Sequence, residues 1–210
     1  MTRWATFDCY GTLIDWESGI RSALLHAFGD DSAFERYHDL EREIERARPL
    51  LAYRDVMTEA MSRLGASAAN ALVLAESLRT WKPFPEVRGA LQEVRRRGWK
   101  LAILSNSDPP QIEASKANLG MPFEATVVAG QIGSYKPAHR HWEEFWSRTG
   151  ADRSRQVHVG AIIYHDAVPA RELGLPFVWI NRTGETSDLP TRELPDLTRL
   201  PDTLDELLPP

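Results

Sequence analysis

The amino-acid sequence predicts an α/β protein, a doubly wound parallel sheet with an all-helical segment inserted after its first strand. Three observations carry this. From residue 83 onward short apolar runs alternate with helical stretches, the pattern of a parallel sheet covered by helices. Between about residues 15 and 82 the periodicity is helical throughout and no strand is needed. The first apolar run ends on an acidic residue just before a glycine turn, which places a carboxylate at the C-terminal end of a buried strand.

Taken in order, Trp4, Ala5, Thr6 and Phe7 form that first strand and deliver Asp8, and Gly11 with Thr12 marks the turn after it. Ile20, Leu24 and Phe28 make one apolar stripe of the inserted segment; Leu40, Ile44, Val56, Ala60 and Leu64 continue on later helices. Pro83 and Pro85 end the segment. A helix over 86–97 then leads through Gly98 into a strand over 99–104 that stops at Ser105. Further strands are predicted at 125–129, 156–160 and 177–180, with helices at 110–119, 138–148 and 166–173. From residue 185 the chain is rich in Pro, Asp and Thr, where one short strand and a loose terminal helix without chemistry are expected. Residues 1–14 and 83–210 are thus read as a catalytic core, and 15–82 as a helical cap over the crevice at the strand ends, where such sheets bind ligands.

Of the 210 residues 42% are hydrophobic, enough for one core with a smaller insertion. A formal charge of -5 and a pI near 5.7 argue against nucleic acid or an anionic membrane as partner, since both ask for a basic face. Arg95, Arg96 and Arg97, the basic run, precede Gly98 and read as a solvated helix end favoured by the helix dipole. The single cysteine, Cys9, excludes an internal disulfide. With no apolar run of about 18 residues and no cationic leader, the expected location is the cytoplasm. The expected partner is a small-molecule carboxylate substrate, and a homodimer is compatible with the sequence.

Chemistry-bearing residues fall in four pieces: Phe7-Asp8-Cys9-Tyr10-Gly11-Thr12-Leu13, Ser105-Asn106, Tyr135-Lys136-Pro137, and Gly160-Ala161-Ile162-Ile163-Tyr164-His165-Asp166. A strand-end carboxylate such as Asp8 can attack an electrophile to give an ester that water later hydrolyses, splitting one hard step into two. Lys136 is its natural countercharge, favouring the ionised form. Thr12, Ser105 and Asn106 offer hydroxyl and amide groups for a substrate carboxylate or phosphate. Asp166, read as beginning a helix, can N-cap it or orient the hydrolytic water. Plainer readings stand beside these. Asn106, Ser107 and Asp108 also suit a turn before Pro109, and His158 and His165 a strand residue and a helix start. Cys9 reads as a small buried filler, and Trp4, Trp16 and Trp99 as core.

As a set and in this order, the four pieces resemble the motifs of the haloacid dehalogenase superfamily, over nearly the whole chain and with the cap in its usual place. The resemblance implies a Rossmann-like core, a hydrolase, and Asp8 as covalent nucleophile. Phosphatases of that superfamily usually carry a second Asp two residues after the nucleophile to protonate the leaving alkoxide. Here Tyr10 stands there, and a phenol titrating near ~10 is a weak acid at neutral pH. Ala161 replaces an acidic residue of the fourth motif, so a Mg²⁺ site would retain Asp8 and Asp166 as its acidic ligands.

The first and third motifs therefore resemble the L-2-haloacid dehalogenase branch. That implies catalytic roles for Asp8, Lys136 and Asp166 and substrate contacts from Tyr10, Thr12, Ser105, Asn106 and Trp142, the last standing where the branch has a tyrosine. It implies no metal or other cofactor. Ala161 and Ile163 depart from the branch's Ser and Asn, and its halide-holding cap arginine has candidates in Arg36, Arg42, Arg46, Arg48 and Arg54. The favoured expectation is displacement at carbon on a small 2-substituted acid, with a halide or a group such as a strained ring nitrogen leaving. The alternatives are a Mg²⁺-dependent phosphatase and a catalytically silent small-molecule-binding protein.

Overall fold

A computed structural model describes residues 2–210. Six parallel strands, β1 (Arg3–Phe7), β2 (Trp99–Ser105), β3 (Ala125–Val128), β4 (Gln156–Gly160), β5 (Phe177–Ile180) and β6 (Arg192–Leu194), lie in the order β3-β2-β1-β4-β5-β6. Phe7 of β1 stands opposite Ile103 of β2 on one side and Val159 of β4 on the other. The strand order reverses here, so the crevice at a topological switch point opens beyond β1. Asp8 is the next residue, with its N–H donating to the Val159 carbonyl at 2.9 Å. β5, Phe-Val-Trp-Ile, is buried at every position, the continuous apolar run of a parallel strand covered on both faces.

Between β1 and β2 lie α1 (Trp16–Phe28), α2 (Phe34–Ala47), α3 (Tyr53–Arg63) and α4 (Ala68–Ser77). Asp15 caps α1, accepting from the Ser18 N–H at 3.1 Å. The two chain passages that join these helices to the sheet run side by side. Ile14 bridges Pro83, and the Asp15 N–H donates to the Lys82 carbonyl at 2.9 Å. Away from this joint, the Arg54 N–H donates to Asp108 Oδ2 at 3.1 Å and the Tyr135 hydroxyl to the Leu51 carbonyl at 2.7 Å.

The sheet is flanked by α5 (Val87–Arg96), α6 (Pro109–Leu119), α7 (Ala129–Ile132), α8 (Arg140–Thr149), α9 (Val168–Glu172) and α10 (Leu200–Leu207). One apolar cluster joins the sheet through Phe7, Ile103 and Val157 to the helices after β1. The other holds Trp4, Leu104, Trp142, Phe145, Phe177 and Trp179. Among the described residues no helix is long and apolar enough to cross a membrane.

Three expectations are corrected. Asp166 does not begin a helix. A π-helical turn, Ile163–Ala167, precedes α9, and within it Asp166 Oδ2 folds back to accept from the Ile162 N–H at 3.2 Å. The terminal helix is not loose, because Leu200 and Leu204 are buried and Asp205 accepts from Arg3, Arg97 and Trp99. Arg97 accordingly ties α5 to α10, whereas Arg96 is the solvated member of the basic run.

Candidate active site

Gly11 makes the turn that returns the chain toward Asp8, with φ 88°, and a Cβ there would stand 2.3 Å from the Trp16 indole nitrogen. The turn places Thr12 so that its hydroxyl donates to Asp8 Oδ2 at 3.0 Å. Lys136, 2% exposed, donates from Nζ to Asp8 Oδ1 at 2.9 Å and to Asp166 Oδ1 at 2.7 Å. Burial pushes the Asp8 carboxyl up to about 6 against the pull of Lys136, and the negative charge of Asp166 adds to the rise. Burial alone would also raise Asp166, but Lys136 and a hydrogen bond from His158 hold it below its ordinary value. For Lys136 burial works against the charge, and the two carboxylates prevail and raise it to about 12. It is a fixed ammonium at neutral pH.

The lysine is held by its backbone. Its N–H donates to Asn106 Oδ1 at 2.6 Å, and Asn106 Nδ2 donates to its carbonyl at 3.1 Å. Behind Asp166 runs a buried polar chain. Trp146 Nε1 donates to Gln156, Gln156 Nε2 donates to Thr6 Oγ1, and Thr6 Oγ1 lies 3.0 Å from His158 Nδ1. His158 Nε2 lies 3.3 Å from Asp166 Oδ1, so a proton on Nε2 and an acceptor at Nδ1 satisfy both contacts. His158, read as a plain strand residue, is thus coupled to the acidic pair.

A cavity of ≈ 460 Å³ opens in front of Asp8. Tyr10, Ser105 and Asn106 line it from the core, and Trp16, Phe34, His38, Glu41, Glu45 and Tyr53 from α1, α2 and α3. Ser105 Oγ is buried without a hydrogen-bond partner, free to meet a ligand. The Tyr10 hydroxyl is engaged by Ser115 Oγ at 3.0 Å. Thr12 is fully buried and reaches Asp8 rather than the cavity.

Trp142 is not at the cavity. It is fully buried in the second apolar cluster, with its ring centroid 5.0 Å from that of His158, because α8 turns it toward the sheet together with Phe145 and Trp146. Of the cap arginines, Arg42 lines the cavity and Arg46 lies over the Tyr164 ring at 4.8 Å. Arg48 and Arg54 pair with Glu59 and Glu76, and Arg36 is exposed.

Sequence reasoning missed Glu41 and Glu45, and it assigned Trp16 to the core and no chemistry to the segment of Glu185, both of which line the cavity. A signal for the glutamates existed: the helical repeat from Phe34 through Tyr37 lands on residues 41 and 45, four apart on the buried face of α2. As for a metal, among the described residues no three His, Cys, Asp or Glu side chains are grouped to hold one. Asp8 and Asp166 instead share the lysine.

A doubly wound sheet with an acid–lysine–acid set at its switch point, under a roof of helices, defines a hydrolase fold with a cap. Residues 2–174 match the model of the haloacid dehalogenase-like hydrolases, and the chain belongs to that family. It is 35% identical to the (S)-2-haloacid dehalogenase of Pseudomonas sp. (strain YL), over 85% of this chain and 82% of that one. It is 31% identical to haloacetate dehalogenase H-2 of Moraxella sp. (strain B), over 91% of each. The fold is shared with the L-2-haloacid dehalogenase of Xanthobacter autotrophicus solved with chloropropionic acid covalently bound, at a TM-score of 0.79 and 20% identity, over 97% of this chain and 98% of that one.

Proposed function

We propose that this hydrolase displaces a leaving group from carbon 2 of a small carboxylic acid, through an ester of Asp8, without a metal. The observation that carries the reading is the setting of Asp8: a strand-end carboxylate on the cavity wall, charge-paired to Lys136, with Tyr10 two residues on tied to Ser115 rather than free as an acid. An Asp8 oxygen attacks the carbon from the side opposite the leaving group, and the C–O bond forms as the bond to the leaving group breaks. Water then adds to the carboxyl carbon of the ester. Lys136, kept charged by Asp166, stabilises the oxyanion of that step and the carboxylate that is regenerated. In this reading Ser105 binds the substrate carboxylate, supported by its unpartnered Oγ and its place on the cavity wall.

The covalently bound chloropropionic acid in the Xanthobacter enzyme is a precedent for the first step. The cytoplasm, with a small acid as partner, fits the same reading. The relay is tested by a single turnover of 2-chloropropionate in ¹⁸O-labelled water with a chelator present. Label is expected in Asp8 before product, with inversion at carbon 2 and no loss of rate, and the folded Asp8→Asn protein is expected to turn nothing over. Chelator-sensitive hydrolysis of phosphate esters, with no turnover of any 2-substituted acid, would assign a Mg²⁺-dependent phosphatase instead.

A further inference from the structure

Across the cavity from Asp8, α2 presents two carboxylates one helical turn apart. Glu41 is fixed: its Oε1 accepts from the hydroxyls of Tyr53 at 2.8 Å and Tyr37 at 3.1 Å, and His38 Nδ1 lies 3.4 Å from Oε2. Glu45 is different. It is 6% exposed and lines the cavity, yet among the described residues no group donates a hydrogen bond to it, and His165 Nε2 stands 3.9 Å away. Its carboxyl opens onto the cavity, where a ligand that donates hydrogen bonds would complete it.

The charges around the cavity point the same way. Asp8, Asp166, Glu41 and Glu45 are buried or nearly so, against the single ammonium of Lys136. Arg21 and Arg42, on the same wall, are already paired with Glu17, Asp31 and Asp39. Burial lowers His165 to about 4, so it adds no positive charge at neutral pH. Burial and the neighbouring Glu41 raise Glu45 well above the ordinary carboxylate range, against the pull of Lys136. The carboxylates are not grouped as metal ligands. An organic cation, which needs hydrogen-bond acceptors and aromatic walls such as Trp16 and Phe34, fits instead.

We propose that Glu45, backed by Glu41, forms an ammonium subsite facing Asp8, so that the substrate is an amino acid rather than a simple 2-substituted acid. This rests on the reading of a small carboxylic acid substrate: Ser105 takes the carboxylate at the core end of the cavity, and Glu45 takes the basic nitrogen at the cap end.

The test uses unreactive probes on the intact protein, titrated by calorimetry near pH 7: alanine, β-alanine and proline against propionate and cyclopentanecarboxylate, which lack the amine. At least one amino acid is expected to bind about tenfold or more tighter than its amine-free counterpart. Glu45→Gln is expected to remove at least tenfold of that affinity, and to leave the amine-free acid within about twofold. The proposal is overturned if the amine-free acids bind as well, if Glu45→Gln keeps the preference, or if no amino acid binds. Labelling of Asp8 by 2-chloropropionate without any amine preference would sink the subsite alone, whereas tight amine binding by a protein whose Asp8 never takes label would sink the ester mechanism alone.

Discussion

The side-chain amide of Asn106 spans the backbone of Lys136, accepting from its N–H at 2.6 Å and donating to its carbonyl at 3.1 Å. Both ends of the amide are thereby occupied, and the residue fixes the origin from which the lysine side chain reaches Asp8. Misplacing a charged group by about 1 Å costs a reaction on the order of 100-fold. Asn106→Ala is therefore expected to lower kcat by about 10- to 100-fold with KM nearly unchanged. A rise in KM at constant kcat would instead make Asn106 a substrate contact.

The pH profile follows from the burial of Asp8. Its carboxyl titrates near 6 rather than at the ordinary 3.8, and the anion is the attacking form. The rate is expected to fall as pH drops through about 6, and Lys136, raised to about 12, adds no falling limb in the neutral range. Steady-state kcat/KM from pH 4.5 to 9 decides this. An acid limb centred below pH 4.5 would show that Asp8 is not held as described.

Lys136 supports the fold as well as the chemistry, contrary to what its position in a loop suggests. Removing the one cation between two buried carboxylates leaves both uncompensated, which costs about 3–5 kcal/mol. Lys136→Met is expected to lose activity and to lower stability by roughly that amount at pH 7. The sign with pH is definite. Without the lysine both carboxyls have folded pKa values above their unfolded ones, so the folded state binds more protons and the deficit shrinks as pH falls. Denaturation at pH 7 and pH 5 reads it directly; an equal loss at both would refute the uncompensated-charge account.

Gly160, at the end of β4, faces Asp166 with no room to spare: a Cβ there would stand 2.5 Å from the Asp166 carboxyl carbon. Gly160→Ala must push Asp166 off Lys136 and His158. The expected outcome is a rate reduced at least tenfold with the sheet retained by circular dichroism, and a Lys136 no longer anchored on its second side. Wild-type kinetics in this variant would show that Asp166 does not need its observed place.

The alternation of strand and helix, and the helical insertion after β1, were legible because hydrophobic periodicity is a local property that survives without tertiary information. Asp8, Lys136 and Asp166 were legible as motif pieces in the segments that follow β1, β3 and β4, which the sheet order brings together. Trp142 was misread because one aligned position was weighed above its own helix phase: His141, Trp142, Phe145 and Trp146 form a buried stripe that aims at the sheet. Asp166 was misplaced because a π-turn leaves no mark in apolar spacing. Glu41 and Glu45 were passed over because glutamates ordinarily sit on solvated helix faces, and their burial depends on Tyr37, Tyr53 and the core across the cavity. The polar chain behind Asp166 joins residues of β1, β4 and α8, a long-range closure that only the folded sheet reveals.

Opposite the paired passages at Ile14 and Pro83, the helices after β1 are fastened to the sheet side by Asp108 and Tyr135, and in both fastenings the group received from α3 or its approach is a main-chain one, the Arg54 N–H and the Leu51 carbonyl. Main-chain groups are the same whatever side chain is present, short of proline at position 54. Selection can therefore rewrite the cavity-facing side chains of the roof without rebuilding its clasp, whereas Asp108 and Tyr135 are held to their identities. Ancestry should show in the rim below, and change of diet in the ceiling above.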